Sequence, residues 1–319
     1  MRVLITGGTG FVGPYLRRYL LTTTDWHLHA TCYPDAAPAL LDAVREGFTQ
    51  LDLRDQAGVY TLLETFRPEA IIHLAGQSHV PTAYKDPWGT LENNIRGQLH
   101  LLEACVKLEL QPRFLVIGSG EEYGRDTPEA MPLREDHPLR PENPYSVSKV
   151  AQDVLGYQYF ISYGIPVVRM RPFNHVGPGQ SPRFVLAAFA QQVARIEAGQ
   201  QEPVLRVGNL SPARDFTDVR DVVRAYALAL QHGEPGEAYN VCSGTGRTIQ
   251  SIVNRLLELS TASISVEIDP ARYRPADVPA LYGSAEKLRR ATDWVPEIPF
   301  EQTVQDVLDE WRENVLHNA

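Results

Sequence analysis

The sequence has few of the residues that would assign it to several large protein classes. Its 319 residues include only three cysteines, Cys32, Cys105 and Cys242, and no two of them have the C-x-x-C spacing. We therefore expect reduced thiols, with neither a disulfide framework nor a metal site. The sequence also lacks a dense run of lysine or arginine, and its formal net charge is −9. Because binding to nucleic acid depends on clustered cations, a nucleic-acid partner is not expected.

Long apolar segments are missing as well. No uninterrupted apolar stretch approaches the ~20 residues that span a bilayer. Met1 leads directly into a short apolar strand and then glycines, without a cleavable signal pattern. The apolar fraction of 43% and the charged fraction of 22% are typical of a globular chain and not of a disordered one. We therefore expect a cytoplasmic protein without a membrane partner.

What the sequence does contain is a regular alternation of short β-rich segments and amphipathic segments. In the first half, strands are predicted at Arg2–Thr6, Trp26–Cys32, Phe48–Asp52, Ala70–Ala75, Phe114–Gly118 and Val167–Arg171. Helices are predicted between them at Phe11–Leu21, Asp55–Phe66, Leu91–Leu108 and Tyr145–Tyr163. This alternation predicts an α/β fold with a doubly wound parallel sheet. In such sheets, ligands bind beyond the carboxyl ends of the strands.

The second half of the chain is less regular. Its predicted elements are a strand near Val204–Val207 and helices at Arg183–Glu197, Val219–Gln231, Ile249–Leu259 and Glu301–Leu316. Between the two halves, residues 125–144 are rich in proline and polar residues. Loops of this length often cover a functional site. A surface loop without such a role is an equally good interpretation.

A glycine-rich turn follows the first predicted strand. Its glycines fit G-x-G-x-x-G through Gly8, Gly10 and Gly13, or G-x-x-G-x-x-G through Gly7, Gly10 and Gly13. Residues without Cβ let the backbone amides at a helix start approach a pyrophosphate, so the turn predicts dinucleotide binding. The acid for the ribose 2′-hydroxyl would be Asp35, which lies beyond a proline, and no arginine follows the second strand for a 2′-phosphate. The expected cofactor is NADPH or NADH, with NADP slightly favoured.

Three side chains near this turn suit proton and hydride chemistry. Tyr145 and Lys149 are four residues apart in P-Y-S-V-S-K, so a helix places them on one face. A nearby ammonium group lowers a tyrosine pKa from its ordinary ~10. Ser119 follows a predicted strand and therefore lies at the same sheet edge as the glycine turn. The three together predict hydride transfer at an oxygen that Ser119 polarises and Tyr145 protonates.

These motifs resemble those of the extended short-chain dehydrogenases/reductases that act on nucleotide sugars, over essentially the whole chain. T-G-G-T-G-F-V-G at Thr6–Gly13 resembles the cofactor loop of that family, and Ser119, Tyr145 and Lys149 fall on its active-site positions together with Asn94. Besides Tyr145 and Lys149, the resemblance implies cofactor contacts at Gly7, Gly10, Phe11, Val12, Gly13, Asp52, Leu53, Leu74, Ala75, Gly76 and Asn94.

The resemblance also implies how the substrate is held. R-P-F-N-H-V-G-P-G-Q at 171–180, R-D-F-T-D-V-R-D at 214–221 and R-P-A-D at 274–277 resemble the segments that hold the diphosphate, for which guanidinium groups are suited. The implied substrate-binding residues are Ser78, His79, Asn174, Arg183, Asn209, Arg214 and Arg274. A structural histidine that bonds the backbone beside the loop is the equal alternative for His79.

Domain organisation and assembly are likewise implied by the resemblance. Residues 1–170, with about 213–242, would form the dinucleotide-binding Rossmann domain, and residues 171–212 and 243–319 a smaller α/β nucleotide-sugar domain. Members of the family dimerise through helices that correspond to Leu91–Leu108 and Tyr145–Tyr163. A homodimer is therefore expected, although the apolar residues of these helices could equally serve the core.

Narrower similarities concern the substrate. The segments Gln77–Val80, Phe173–His175 and Val207–Leu210 resemble the GDP-mannose branch of the family. G-S-G-E-E-Y-G at 118–124, with N-H-V-G-P-G-Q-S-P at 174–182, is most similar to the GDP-6-deoxy-D-mannose reductases. The implied reaction reduces the C4 keto group of GDP-4-dehydro-6-deoxy-D-mannose to GDP-D-rhamnose, with hydride from NADPH or NADH and Tyr145 as general acid.

Three alternatives stay open on the sequence. GDP-mannose 4,6-dehydratases retain their NADP and use a base at the position of Glu121, which makes Glu121 a further catalytic candidate. Those enzymes have threonine where this chain has Ser119, and the chain also lacks their paired arginines after the second strand. A UDP-sugar 4-epimerase is the second alternative. The third is a short-chain fold that only senses nucleotides, against which the presence of Ser119, Tyr145 and Lys149 argues.

Overall fold

The computed structural model describes residues 1–34, 47–272 and 278–317, and its strands form one large sheet and two small ones. In chain order the strands are β1 (Arg2–Thr6), β2 (His27–Cys32), β3 (Phe48–Gln50), β4 (Ala70–His73), β5 (Arg113–Ile117), β6 (Val167–Pro172), β7 (Asn174–Val176), β8 (Val204–Val207), β9 (Ala213–Asp218), β10 (Ala238–Val241), β11 (Gly246–Thr248), β12 (Ser265–Ile268) and β13 (Ala280–Leu281). The α-helices are Val12–Thr23, Gln56–Phe66, Val80–Lys85, Pro87–Leu91, Gly97–Lys107, Pro144–Tyr163, Val185–Glu197, Val219–His232, Ile249–Leu259, Glu286–Thr292 and Phe300–His317.

The large sheet is parallel and has the strand order β10-β6-β5-β4-β1-β2-β3. Helices cover both of its faces, so consecutive residues of a strand are buried on opposite sides. In β1, Val3 and Ile5 join one apolar cluster and Leu4 joins the other, and all three are fully buried. The strand order reverses between β1 and β4, and ligands bind such sheets at this reversal. The predicted α/β doubly wound fold is confirmed.

The predicted elements of the first half lie within a few residues of the observed ones, with one informative difference. The helix predicted at Leu91–Leu108 begins with a π-helical turn, Glu92–Arg96, and continues as Gly97–Lys107. A π turn inserts an extra residue and is often found at functional sites. Here it directs the side chain of Asn94 into the interior, where it is fully buried.

The small sheets belong to the later part of the chain. Strand β9 pairs with β7, β11 and β13, and β8 pairs with β12. The helices Val185–Glu197, Ile249–Leu259 and Phe300–His317 enclose a separate apolar cluster against β8 and β9. The predicted domain boundaries stay a prediction. One boundary is affected by the structure: residues 213–218 form strand β9 of a small sheet, so the chain returns to the large sheet only with the helix that begins at Val219.

The proline-rich segment 125–144 packs as a cover over a small apolar cluster. Leu133 is fully buried, its N–H donates to Tyr282 O at 3.0 Å, and its carbonyl accepts from Asn240 Nδ2 at 3.0 Å.

In the part of the chain that the structure describes, none of the α-helices is both long and apolar enough to traverse a bilayer. The three cysteines are buried and reduced.

Candidate active site

The glycine turn after β1 has a conformation that suits a dinucleotide pyrophosphate. Gly7 has φ +70°, and a Cβ there would lie 2.8 Å from the backbone N of Ala75, so the turn and the loop after β4 meet without side chains between them. A Cβ on Gly10 would have no neighbour closer than Gly7 O at 3.4 Å. Packing within the protein therefore does not require glycine at position 10, whereas close approach of a phosphate to the helix start does.

This turn borders a cavity of about 310 Å³ at the strand reversal. Of the residues predicted to bind cofactor, the cavity is lined by Gly7, Gly10, Phe11, Val12, Gly13, Leu74, Gly76, Tyr145 and Lys149. The catalytic candidates Ser119 and Glu121 line it too, as do the predicted substrate residues Ser78, His79 and Asn174. The structure thus brings the phosphate turn, the catalytic candidates and part of the sugar site to one cavity, as predicted for the carboxyl edge of the sheet.

Tyr145 is the predicted proton donor among the residues that line this cavity. It stands in the first turn of helix Pro144–Tyr163, where the side chain of Asn143 caps the helix by accepting the N–H of Ser146 at 2.9 Å. Tyr145 is almost fully buried, and burial raises its pKa above the ordinary value, against the lowering effect of a hydrogen bond with Ser119. The phenol therefore keeps its proton at neutral pH, which is the form that an acid must have.

Lys149 does not have the predicted effect on Tyr145 in this structure. Its Nζ donates to Ile117 O at 2.8 Å and to Gln152 Oε1 at 2.9 Å, and lies 6.0 Å from the centre of the Tyr145 ring. Burial lowers the pKa of Lys149 to about 8, and its ammonium is not among the causes that shift the pKa of Tyr145. The predicted lowering of the tyrosine pKa is wrong for the protein alone, because burial raises this pKa and the Lys149 ammonium is directed to Ile117 and Gln152 instead.

Glu122 is a component of the site that the sequence did not reveal. It is fully buried, and its Oε1 accepts the N–H of Ser119 at 2.7 Å. Its other oxygen lies 3.5 Å from Arg171 Nε, and the same guanidinium bonds Asp153 at 2.9 Å. Burial and the charge of Asp153 raise the pKa of Glu122. Glu122 therefore fixes the backbone of Ser119 from behind the cavity, whereas Glu121 faces into it and accepts from Asn143 Nδ2 at 3.3 Å.

Three predicted cofactor contacts, Asp52, Leu53 and Ala75, lie outside the lining of this cavity. Asp52 bonds the guanidinium of Arg54, with Nη2 at 2.6 Å, and this bond lowers the pKa of Asp52. Leu53 is buried, and the N–H of Ala75 donates to Thr6 Oγ1 at 3.2 Å. Contacts of these residues with a cofactor stay predictions.

Asn94 does not line the cavity, but its side chain connects two elements that border it. Its Oδ1 accepts the N–H of Gln77 at 2.7 Å, and its Nδ2 donates to Ser148 Oγ at 2.8 Å. It therefore ties the loop after β4 to the helix that carries Lys149. The direct cofactor contact predicted for Asn94 has no support in this arrangement, because its amide is already used on both sides.

The remaining substrate candidates are dispersed. His79 lines the cavity, and its Nδ1 shares a hydrogen bond with Thr82 Oγ1 at 2.8 Å. Arg183 is exposed beside the cavity residue Phe184, and Asn209 accepts from Ser211 Oγ at 2.8 Å. Their contacts with a substrate stay predictions.

Of the two arginines predicted to hold a diphosphate, Arg214 lies within the described residues and does not line the cavity. Arg214 donates to Ala213 O at 2.9 Å and to Val278 O at 2.7 Å. Arg274 lies outside the described residues, so the phosphate contacts predicted for the two arginines stay predictions. Asp35, the predicted partner of the ribose 2′-hydroxyl, also lies outside the described residues.

Comparison with known proteins places this geometry among enzymes of GDP-sugar metabolism. The sequence profile of the family described as GDP-mannose 4,6 dehydratase matches residues 4–307. The GDP-6-deoxy-D-mannose reductase of Pseudomonas aeruginosa is 39% identical over 98% of this chain and 98% of its own. The GDP-mannose 4,6 dehydratase 2 of Arabidopsis thaliana is 29% identical over 99% of this chain and 89% of its own.

A solved structure agrees with these sequence relatives. The structure of RMD from Pseudomonas aeruginosa complexed with NADPH is 38% identical and has a TM-score of 0.87, over 98% of this chain and 99% of that chain. The fold described above therefore has a counterpart along nearly the full length of a protein that was solved in complex with NADPH.

Proposed function

The chain belongs to the GDP-mannose 4,6-dehydratase family, and from this premise we propose that it is the reductase of GDP-4-dehydro-6-deoxy-D-mannose. The product is GDP-D-rhamnose, formed by reduction of the C4 keto group. The observation that carries the proposal is a protonated, buried tyrosine next to Ser119 in the cavity that the glycine turn borders. Identity of 39% with a reductase over nearly the whole of both chains supports it.

The cavity residues fit a nicotinamide dinucleotide. The open space at Gly10 accommodates a pyrophosphate against the start of helix Val12–Thr23. Lys149 Nζ uses two of its three donors on Ile117 and Gln152, which leaves one for a ribose hydroxyl. The reduced dinucleotide supplies the hydride when bound. NADPH is the slightly favoured form, in keeping with the NADPH complex of the Pseudomonas aeruginosa protein.

The protein residues supply the proton and the orientation. Ser119 Oγ accepts the N–H of Glu121 at 3.1 Å and its hydroxyl is hydrogen-bonded to Tyr145 in the protein alone, and we expect the serine proton to turn to the C4 oxygen when the sugar binds. Tyr145 Oη transfers its proton to that oxygen as negative charge develops there. Ser78, His79 and Asn174 surround the hexose side of the cavity. Binding of the distant nucleotide contributes to holding C4 in position.

The direct test is a spectrophotometric assay of the purified protein. With GDP-4-dehydro-6-deoxy-D-mannose, we expect oxidation of NADPH or NADH, followed as a fall in absorbance at 340 nm, and a product with a C4 hydroxyl. Each dinucleotide is tried in turn, which also settles the cofactor. Conversion of GDP-mannose to a keto sugar without added dinucleotide would instead identify the dehydratase and contradict the proposal.

Replacement of Glu121 distinguishes the two enzymes within this family. For a reductase, Glu121→Gln is expected to keep kcat within about threefold of wild type, because the carboxylate takes no proton in the reaction. Removal of a working acid or base would cost ~10²–10⁴-fold. The kinetics of keto-sugar reduction check this, and a loss in the larger range would show that Glu121 is a catalytic group.

A homodimer is proposed on the exposed surface of helix Pro144–Tyr163. Val147, Val154 and Ile161 follow each other at seven-residue intervals and are 42%, 51% and 62% exposed, and Trp88 beside this helix is 71% exposed. An apolar stripe of this kind marks a protein interface. Val154→Asp combined with Ile161→Asp is expected to convert the dimer into a monomer in size-exclusion chromatography with light scattering. Leu21→Asp, at an equally exposed apolar position elsewhere, is the control and should leave the mass unchanged.

A further inference from the structure

Tyr226 places a buried, unpaired hydroxyl beside the cavity, on the face of the large sheet opposite helix Pro144–Tyr163. It belongs to helix Val219–His232, which packs against β5, β6 and helix Val12–Thr23. Its side chain is fully buried and lines the cavity with Ile117 and Pro172, the last residues of β5 and β6. Within the described residues, Tyr226 Oη has no hydrogen-bond partner.

An unpaired hydroxyl at this depth is unusual, because burying it without a partner is unfavourable and phenylalanine would fill the same space. Two other buried tyrosines of this chain have partners. Tyr123 Oη donates to Asn240 Oδ1 at 2.7 Å, and Tyr239 Oη accepts the N–H of Glu234 at 3.0 Å. Tyr226 therefore differs from them in facing a cavity, so its partner must come from a molecule bound there.

The position of Tyr226 identifies the part of that molecule. Tyr226 belongs to the helix that packs against the helix beginning at the glycine turn, and it is close enough to Tyr145 for the charges of the two phenols to interact. A dinucleotide whose pyrophosphate lay on the glycine turn would have its nicotinamide at the reacting centre beside Tyr145, and hence near Tyr226. Burial, followed by the charge of Tyr145, raises the pKa of Tyr226, so its hydroxyl is a permanent donor.

We propose that Tyr226 is a cofactor-binding residue whose hydroxyl donates a hydrogen bond to the carboxamide of the nicotinamide ring. The inference rests on the proposed reductase function. Neither the glycine turn nor the Tyr145–Lys149 spacing indicates it, because Tyr226 lies in the middle of an apolar helical pattern that otherwise predicts only core packing. The hydroxyl fixes the rotation of the ring, and with it the face that is presented to C4 of the sugar.

The test compares equilibrium binding of whole and truncated cofactor to Tyr226→Phe and wild type. Dissociation constants are measured by calorimetry for NADPH and for 2′-phospho-ADP-ribose, which has no nicotinamide. One lost hydrogen bond predicts a three- to tenfold weaker affinity for NADPH, about 0.65–1.4 kcal/mol, with unchanged affinity for the fragment. The Tm of the ligand-free variant is expected to equal or exceed that of wild type, because an unpaired buried polar group has been removed.

Tyr239→Phe is the matched control, since Tyr239 belongs to the same apolar cluster but has a partner in Glu234. It should lower Tm and leave the affinity for NADPH unchanged. Equal NADPH affinity in Tyr226→Phe and wild type would overturn the inference. It would also be overturned if the variant lost affinity for the fragment as much as for NADPH, or if only the KM for the GDP-sugar changed. If wild type bound neither NADPH nor NADH, the proposed function itself would fail, so the two failures are distinguishable.

Discussion

Tyr145→Phe is expected to lower kcat for keto-sugar reduction by ~10²–10⁴-fold, the loss that follows removal of a positioned proton donor. The variant keeps the ring and its packing but has no proton for the C4 oxygen. Because burial raises the pKa of Tyr145, wild type has this proton over the whole neutral pH range. Rapid-mixing measurement of NADPH oxidation in a single turnover isolates the affected step, and the dissociation constant of NADPH should change by no more than about twofold.

Tyr163→Phe provides the comparison for this substitution. Tyr163 is the last residue of the same helix, far in sequence from Tyr145, and is 48% exposed. The Tyr163→Phe variant should therefore reduce the keto sugar at the wild-type rate. Retention of more than a tenth of wild-type kcat in Tyr145→Phe would assign proton donation to another group. Ser119 would then be the next candidate, since its hydroxyl is hydrogen-bonded to Tyr145.

Arg171→Leu is expected to destabilise the protein by about 3–5 kcal/mol, because Glu122 loses the guanidinium that faces it and Asp153 keeps only one of its two arginines, Arg169 at 2.6 Å. Arg171 is 5% exposed, and its guanidinium bonds Asp153 at 2.9 Å and approaches Glu122 at 3.5 Å, both of which are buried. Urea unfolding followed by circular dichroism measures the loss. Activity should fall as well, since Glu122 holds the backbone of Ser119.

Two further variants make this second prediction specific. Arg289→Leu removes an exposed partner of Glu286 and should cost less than about 1 kcal/mol, as is usual for a surface ion pair. Combining Arg171→Leu with Glu122→Leu should recover part of the stability, because Asp153 keeps Arg169 at 2.6 Å and the carboxyl group that lost its cation is gone. If Arg171→Leu lost no more free energy of unfolding than the surface control, solvent would have to reach these carboxylates, and the ion pairs of Arg171 would not stabilise the fold.

Much of the fold and part of the site follow from local sequence. The buried strands are predicted by short runs of β-branched and aliphatic residues, and the turn after β1 by glycines that alone tolerate its geometry. The side of the helix that carries Tyr145 and Lys149 follows from their spacing of four residues. Each of these features depends on neighbours in the chain, so the sequence by itself determined the α/β fold, the phosphate turn and the position of the proton donor.

The tertiary structure decided what those residues contact. The direction of Lys149, the buried carboxylate of Glu122 and the hydroxyl of Tyr226 depend on partners that are distant in the chain, such as Ile117 and Arg171. Burial also reversed the expected shift in the pKa of Tyr145. Desolvation and hydrogen-bond pairing depend on every group within a few ångströms, whichever part of the chain supplies it. For that reason the sequence identified the candidate acid of this enzyme, and only the folded chain determined its protonation state and its neighbours.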